Sequence, residues 1–383
     1  MNYRIPFNRP FLTGKETDYI REAVYSGKIS GNGEFTQRCQ DFFEERYGFT
    51  KCLLTTSCTD ALEMAAILAG IGPGDEVIMP SYTFVSTANA FVRQGARIVF
   101  VDSRDDHPGM DEASLSKLIT PKTKAIVPVH YAGVACDMDQ IMDLARKHDL
   151  IVIEDAAQAI DSFYLSQDGE RKALGGIGHM AAFSFHETKN LICGEGGMLV
   201  VNDPRFVDRS EIIWEKGTNR ASFFRGEVNK YGWVDVGSSF LPSEVTSAFL
   251  FAQLENLEQI QAKRKATWQV YHNAFDSILD RVKLPFIPDF AEYNGHLFYL
   301  VMENEEIRDS LITHLKGHGI LAVFHYLSLH KSQFYKDNFG DEPELKNCEA
   351  YSSTLLRLPL YYDLTKEDQD EVIGAILQFY ESN

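Results

Sequence analysis

The stretch Leu150-Ile151-Val152-Ile153-Glu154-Asp155-Ala156-Ala157-Gln158 decides the reading of this chain. Its first half is apolar at every position and rich in β-branched side chains, and acids close it. A strand without polar alternation belongs in a parallel sheet covered by helices on both faces, because a sheet with one wet face would alternate. The stretch before it, Asp137–His148, has Met138, Ile141, Met142, Leu144 and Ala145 at helical spacing and reads as an amphipathic helix. Outward from this pair the alternation continues. Asp60–Leu68 reads as a helix stopped at Gly70, and Glu76–Met79 as a strand ending at Pro80. Phe84–Gln94 reads as a helix stopped at Gly95, and Arg97–Val101, Lys124–His130, Ala181–Phe185 and Gly197–Val201 as strands. Such alternation predicts an α/β fold with a mostly parallel central sheet flanked by helices.

The pattern then changes. Leu241–Leu279 reads as one long helical stretch broken near its start by Pro242, and Pro285 and Pro288 mark a linker. After it come a strand (His296–Val301), a helix (Glu305–Gly317), a strand (Ile320–Tyr326) and a last helix (Lys366–Tyr380). The expected organisation is a large domain over residues 1–245 and a smaller C-terminal α+β domain over 246–383. The opening residues are expected to pack against the smaller unit.

The 383 residues leave room for roughly two or three domains and a large core, with 44% hydrophobic and 24% charged side chains. The balance of 37 basic against 55 acidic side chains gives a formal charge of −18. That excludes a broad nucleic-acid surface, which needs a basic face. No run approaches the roughly 18 continuous apolar residues of a membrane span. Met1–Pro10 lacks the apolar core of a signal peptide, so a soluble cytoplasmic protein is expected. The six cysteines, Cys39, Cys52, Cys58, Cys136, Cys193 and Cys348, form no CxxC pair and no zinc-type spacing with histidine. They read as reduced thiols, and no metal is expected.

In open α/β sheets, ligands bind beyond the carboxyl ends of the strands. Asp155-Ala156-Ala157-Gln158 stands at one such end. His186-Glu187-Thr188-Lys189-Asn190 follows another and leads into the turn Gly194-Glu195-Gly196-Gly197. Thr55-Thr56-Ser57-Cys58-Thr59 precedes the helix at Asp60, and Ser81-Tyr82-Thr83-Phe84 follows the strand ending at Met79. Each group has an ordinary reading by itself: Ser57 and Thr59 as helix caps, Asp155 as a cap or surface acid, Lys189 as a solvated lysine, Phe84 as core, His186 as a packing histidine. Together they offer a phosphate site at a helix N-terminus, a carboxylate for a protonated ring nitrogen, an amine for an imine and an aromatic for a planar ring. Those needs are the needs of pyridoxal 5'-phosphate. Arg220, Arg225 and Lys230 form a basic run in an acidic chain; they read as a solvated loop, or, if the substrate is the nucleotide sugar that the family resemblance described next implies, as the patch that faces its diphosphate.

At these motifs the sequence resembles the DegT/StrS family of sugar-nucleotide aminotransferases. The resemblance is carried by Asp155–Gln158, Ser184–Asn190, Gly194–Gly197, Pro80–Thr87 and Phe324–His330, and it runs nearly the whole chain. It implies the aspartate-aminotransferase-like fold of type I, with pyridoxal 5'-phosphate as cofactor and pyridoxamine 5'-phosphate as its form between half-reactions. It also implies the roles of single residues. Lys189 would form the Schiff base, Asp155 would pair with the pyridinium nitrogen and Gln158 would hydrogen-bond the ring hydroxyl. Ser184, Ser57, Cys58 and Thr59 would hold the phosphate, and Phe84 would lie on the ring face. Two active sites would sit at a homodimer interface, where Ser239 would reach the neighbour's phosphate. His325, Tyr326 and His330 would lie near the sugar.

Pro6-Phe7-Asn8, Val129–Cys136 and Glu215–Arg220 are most similar to members that make dTDP-4-amino-4,6-dideoxygalactose. The resemblance therefore implies amino transfer from L-glutamate to a dTDP-4-keto-6-deoxyhexose, for a surface glycan such as a lipopolysaccharide O-antigen. The 4-amino-4,6-dideoxyglucose product, a 3-amino sugar and a noncatalytic protein on the same fold stay open. Some members are dehydratases with histidine at the lysine position; Lys189 points to amino transfer instead. Three departures from the family pattern carry expectations of their own. Cys58 replaces a frequent threonine and would offer only its backbone N–H. Ser328 replaces a frequent proline and would relax the substrate loop. Leu165–Arg171 would form a surface hairpin.

Overall fold

The computed structural model describes residues 3–340 and 343–382. Its first strands are β1 (Lys51–Thr55), β2 (Glu76–Pro80), β3 (Arg97–Val101), β4 (Thr123–Ile126) and β5 (Ile151–Asp155). They are followed by β6 (Phe163–Leu165), β7 (Arg171–Ala173), β8 (Met180–Ser184) and β9 (Gly197–Val201). The later strands are β10 (Val282–Lys283), β11 (Ala291–Glu292), β12 (Phe298–Met302), β13 (Val323–Phe324) and β14 (Leu355–Leu358). A seven-stranded sheet runs in the order β1-β9-β8-β5-β4-β2-β3. Its pairs are parallel except at β9, which runs antiparallel to both β8 and β1. The mostly parallel sheet read from the alternation is present, with one reversed strand.

Side chains alternate faces along a strand, so Glu154 and Asp155 leave β5 on opposite sides. Glu154 is fully buried. It accepts from the N–H groups of Gly175 at 2.7 Å, Ile177 at 2.8 Å and Gly178. Its fourth partner is His130 Nε2 at 2.9 Å. His130 Nδ1 accepts from the Cys136 N–H at 3.3 Å, so the ring proton sits on Nε2 and points at Glu154. The carboxylate thereby ties the loop before β8 to the end of β5.

The helical stretch after residue 240 is two helices, Glu244–Leu254 and Leu257–Ala274. Pro242 lies outside the first, whose N-cap is Ser243. The break falls at Glu255–Asn256, where Asn256 Nδ2 donates to the Ala252 carbonyl at 2.9 Å. The two helices serve different neighbours. Ala248 of the first packs with Ala23 and Phe35. The second begins in the core under the large sheet with Leu257 and Ile260, and ends in a second core with Trp268 and Tyr271.

That second core lies under an antiparallel sheet of order β10-β12-β14-β13. The chain's opening segment joins it: Ile5 is fully buried there, its N–H donates to the Gly319 carbonyl at 3.1 Å, and it accepts from the Leu321 N–H at 3.0 Å. This bridge takes the start of the predicted strand Ile320–Tyr326, which narrows to Val323–Phe324. The hairpin expected around Leu165–Arg171 is more than a surface feature. β6 also pairs with β11, and Arg171 Nη2 meets Glu292 at 2.8 Å, so the hairpin is sewn to the segment after the Pro-rich linker.

Glu154→Ala leaves three buried N–H groups and the His130 proton without an acceptor. Urea unfolding is expected to show a loss of about 3–5 kcal/mol. Glu154→Gln should fall between the parent and Glu154→Ala, and an unchanged midpoint for Glu154→Ala would contradict the tie described here.

Candidate active site

The parallel strands deliver their carboxyl ends to one edge, and a cavity of about 840 Å³ opens there. Asp155, at the end of β5, is buried in its wall. Asp155 Oδ2 accepts from the Thr87 hydroxyl at 2.7 Å, and Oδ1 accepts from the Ala157 N–H at 3.1 Å. Thr87 sits on the helix Val85–Val92 that follows β2, and its hydroxyl takes a proton in turn from Thr83 at 2.9 Å. Burial pushes the Asp155 pKa up, against the hydrogen bonds of Thr87 and Ala157 and the charge of Lys189. The carboxylate is thus held in place with little of its charge balanced by protein.

Lys189 lies five residues beyond β8 and lines the same cavity, half-buried. Burial lowers its pKa, opposed by Cys58 and Asp155 and assisted by the charge of Arg357. The solvated-lysine reading therefore does not apply. A half-buried amine and a buried acid, each with its charged form disfavoured by burial, thus share one cavity.

The helix Cys58–Leu68 begins at the cavity. Ser57 is its N-cap and accepts from the Asp60 N–H at 3.1 Å, so the ordinary reading of Ser57 is correct as far as it goes. The first N–H groups of a helix have no intrahelical acceptor, and those of Cys58 and Thr59 belong to residues lining the cavity. Thr59 donates to Ser86 Oγ at 2.8 Å, which ties this helix to the one carrying Thr87. Burial raises the Cys58 pKa well above its ordinary value, so the thiol stays protonated and the N–H is its useful group. Ser184, at the end of β8, completes this wall. Gly197 of the glycine-rich turn packs on it from behind; a Cβ there would stand 2.3 Å from the Ser57 carbonyl carbon.

The opposite side is aromatic and polar. Phe84 caps the cavity with its ring 6.2 Å from that of Tyr326. Gln158 accepts from the Ala132 N–H at 2.7 Å, which turns its amide NH₂ toward the Tyr326 hydroxyl at 3.0 Å. His325 stacks on Tyr326 with ring centres 3.6 Å apart, and its Nδ1 lies 2.6 Å from the Tyr131 hydroxyl. Burial lowers the His325 pKa well below its ordinary value, so the ring is neutral.

Several expectations change at this point. His330 is not in the cavity wall. It is fully buried one layer back, with Nδ1 at 2.7 Å from Ser81 Oγ and Nε2 at 3.2 Å from Glu349. Ser328 does not relax the loop. Its N–H donates to Ser352 Oγ at 2.9 Å and its hydroxyl donates to the Cys348 carbonyl at 2.9 Å, so it pins the loop to the helix Lys346–Thr354. Arg220, Arg225, Lys230 and Ser239 lie outside the cavity of their own chain. Arg225 is engaged by Glu211 and Glu227, each at 2.7 Å, Arg220 is 3.9 Å from Glu215, and Ser239 bridges Glu215 in an exposed stretch. Phe7, Asn8, Thr87 and Arg357 line the cavity and were not singled out as site residues from the sequence. Thr87 closes the motif Pro80–Thr87, which assigns it no role. Arg357 had no motif at all.

The donor set fits pyridoxal 5'-phosphate. It offers a buried carboxylate short of a cation, an amine in the same cavity, a hydroxyl-lined helix N-terminus that Gly197 backs without a Cβ, and an aromatic ring above. Fold and site together define a pyridoxal-phosphate-dependent aminotransferase of fold type I. Residues 10–377 match the DegT/DnrJ/EryC1/StrS aminotransferase family, and the chain belongs to that family. It is 34% identical over 383 residues to the spore coat polysaccharide biosynthesis protein SpsC of Bacillus subtilis, covering 98% of this chain and 97% of SpsC. Among solved structures it is similar to DesV of S. venezuelae, with 31% identity, a TM-score of 0.88 and 99% of each chain covered. It is also similar to Spr1654 of Streptococcus pneumoniae, with 26% identity, a TM-score of 0.90 and 99% of each chain covered in the PLP form; a PMP form of that protein is solved as well. The chain is therefore a sugar aminotransferase that works with pyridoxal phosphate.

The depressed lysine has a measurable consequence. Between its folded value and the ordinary value near 10.4, the unfolded chain binds the extra proton, so stability rises with pH across that window. In cofactor-free protein, Lys189→Met is expected to melt above the parent at neutral pH. The advantage should disappear as pH approaches about 10.4, where both states of the parent are neutral. Scanning calorimetry across pH checks this, and identical melting curves would show that the amine is not desolvated.

Proposed function

We propose that this enzyme carries an amino group from L-glutamate to C4 of a dTDP-4-keto-6-deoxyhexose and forms dTDP-4-amino-4,6-dideoxygalactose. The observation that supports it is convergence on one cavity. Lys189 and Asp155 share it with Phe7 and Asn8, from the segment most similar to that product class, and with His325 and Tyr326. Tyr131, from the second such segment, holds His325.

Bound here, the cofactor supplies an electron sink for removal of a proton beside the transferred nitrogen. In this reading Asp155 keeps the ring nitrogen protonated, and Thr87 holds the carboxylate in register. Lys189, with its pKa lowered by burial, takes the donor's Cα proton as a free amine and returns one to the sugar carbon. Gln158 and Tyr326 orient the ring hydroxyl. His325, kept neutral by burial, offers hydrogen bonds to the hexose without adding charge. Phe84 and Tyr326 exclude water from the reacting carbon.

The relative SpsC acts in making a spore coat polysaccharide, which supports a cell-surface glycan as the destination. A cytoplasmic location follows from the nucleotide-sugar substrate, and among the described residues no helix is long and apolar enough to cross a membrane. A homodimer is part of the proposal. Phe224, Tyr231, Trp233, Val234 and Val236 are exposed beside Ser239, with Trp233 85% exposed, and such a patch calls for a second copy. Ser239, and with it the basic run of Arg220, Arg225 and Lys230, would then meet the neighbour's site.

One incubation tests the assignment: enzyme, L-glutamate and dTDP-4-keto-6-deoxyglucose, with proton NMR of the product. An axial amine gives small couplings from H4 to both ring neighbours and is the expected result. Large couplings would mean the glucose isomer, and no amination at C4 would remove the proposed substrate. Lys189→Ala should abolish turnover while retaining cofactor.

A further inference from the structure

Tyr131 is fully buried, and His325, which it meets, lines the cavity. Their hydrogen bond, 2.6 Å from the phenol oxygen to Nδ1, can be made in two ways. Either Tyr131 donates and the imidazole carries its proton on Nε2, or Nδ1 carries the proton and donates to Tyr131. The surroundings decide between them. The rings of Tyr82, Tyr299 and Tyr326 pack around Tyr131 with centres 5.5, 5.9 and 6.2 Å away. The Tyr82 hydroxyl is buried without a hydrogen-bond partner, so it takes no proton from Tyr131. Among the described residues the Tyr131 hydroxyl has no partner besides Nδ1. In the second arrangement the phenol proton would be stranded in the core, which is costly. In the first, both atoms of the pair are satisfied.

Nε2 is then the free end of the ring. It has no partner among the described residues, and it is not enclosed by protein. Tyr326 holds the plane of the imidazole by stacking on it at 3.6 Å, with its own hydroxyl engaged by Gln158. Burial raises the Tyr131 pKa, so the phenol keeps its proton. Burial and the charges of Arg357, Lys189 and His296 lower that of His325. Arg357, which pairs with no carboxylate among the described residues, acts from the same cavity wall. We infer that Tyr131 is a positioning residue: it fixes His325 in the form protonated on Nε2, so that the ring offers the cavity a donor and no acceptor, and this donor meets an oxygen of the acceptor sugar. The inference rests on the aminotransferase reading of the cavity and deepens it. A keto or hydroxyl oxygen is uncharged and is matched by a neutral donor. A carboxylate would favour the imidazolium, which these surroundings oppose. An ammonium group would bring its own protons against the N–H.

Heteronuclear NMR of the holoenzyme carrying nitrogen-labelled histidine reads the tautomer, with His325→Ala assigning the signal. The parent is expected to show His325 protonated on Nε2 alone. Tyr131→Phe keeps the ring and removes only the hydroxyl, so the form protonated on Nδ1 should appear beside it. In that variant the KM for dTDP-4-keto-6-deoxyglucose should rise about 3–10-fold, the range for one neutral hydrogen bond, while the rate at which L-glutamate shifts the absorbance of the bound cofactor stays within about twofold. Since Tyr131 acts through His325, the double variant Tyr131→Phe/His325→Ala should lose no more than His325→Ala. Additive losses would mean that Tyr131 serves packing alone, and would overturn the inference. Protonation on Nδ1 in the parent, or an unchanged tautomer or sugar KM in Tyr131→Phe, would overturn it as well. A slowed glutamate step with an unchanged sugar KM would hand the N–H to the amino donor instead. If the parent does not aminate this sugar, the proposed acceptor falls, and the tautomer, read without substrate, still decides the role of Tyr131.

Discussion

Two neighbouring acids buried on opposite faces of β5 set the terms for the rest of the structure. Glu154 is saturated by backbone N–H groups and one histidine proton, and its charge is spent on holding loops together. Asp155 accepts one hydroxyl and one N–H, and burial works against its ionisation. The first acid is structural because its hydrogen-bonding capacity is filled. The second is chemically available because its capacity is not. His130 links the two: its ring donates to Glu154, and its N–H donates to the Asp155 carbonyl at 3.1 Å. Rigidity behind the strand thus becomes position in front of it.

The same economy of charge runs through the site. A chain with a formal charge of −18 works with a phosphate-bearing cofactor, and in the proposed reading it also takes a nucleotide diphosphate and an acidic donor. In that reading the cofactor phosphate would fall to a helix N-terminus and hydroxyls, which add nothing to the formal count. Cations away from the cavity are mostly consumed by local acids, as Arg225 is by Glu211 and Glu227. Arg357 stands out because it is spared. Burial depresses its own pKa, and its charge adds to the burial that lowers that of Lys189.

Much of this was legible in the chain itself. The strands at Arg97–Val101 and Gly197–Val201 and the helix Glu305–Gly317 stand where periodicity places them, because their apolar patterns and flanking glycines act locally. Asp155, Lys189, Gln158, Phe84 and the Ser57–Thr59 turn were readable because they follow strand ends in order. β14 was not readable, because Arg357 interrupts its four-residue apolar run and a charge in mid-strand looks like a break. His330 misled in the opposite way. It closes a recognisable motif, but Ser81 and Glu349 come to it from distant parts of the chain and take up both ring nitrogens. Ser328 likewise became an anchor through Ser352 and Cys348, partners that local sequence does not announce.

By itself, the sequence determined the α/β architecture, the cofactor class and the acid–lysine pair, since these depend on hydrophobic period and on residues adjacent to strand ends. Only the tertiary structure decided which charges are spent and which remain free. Whether Glu154 or Asp155 is saturated, whether His330 faces ligand or core, and whether Arg357 has an anion all depend on groups separated by tens to hundreds of residues. Burial then turns those distant neighbours into shifts of proton affinity, which is where the chemistry of this site resides.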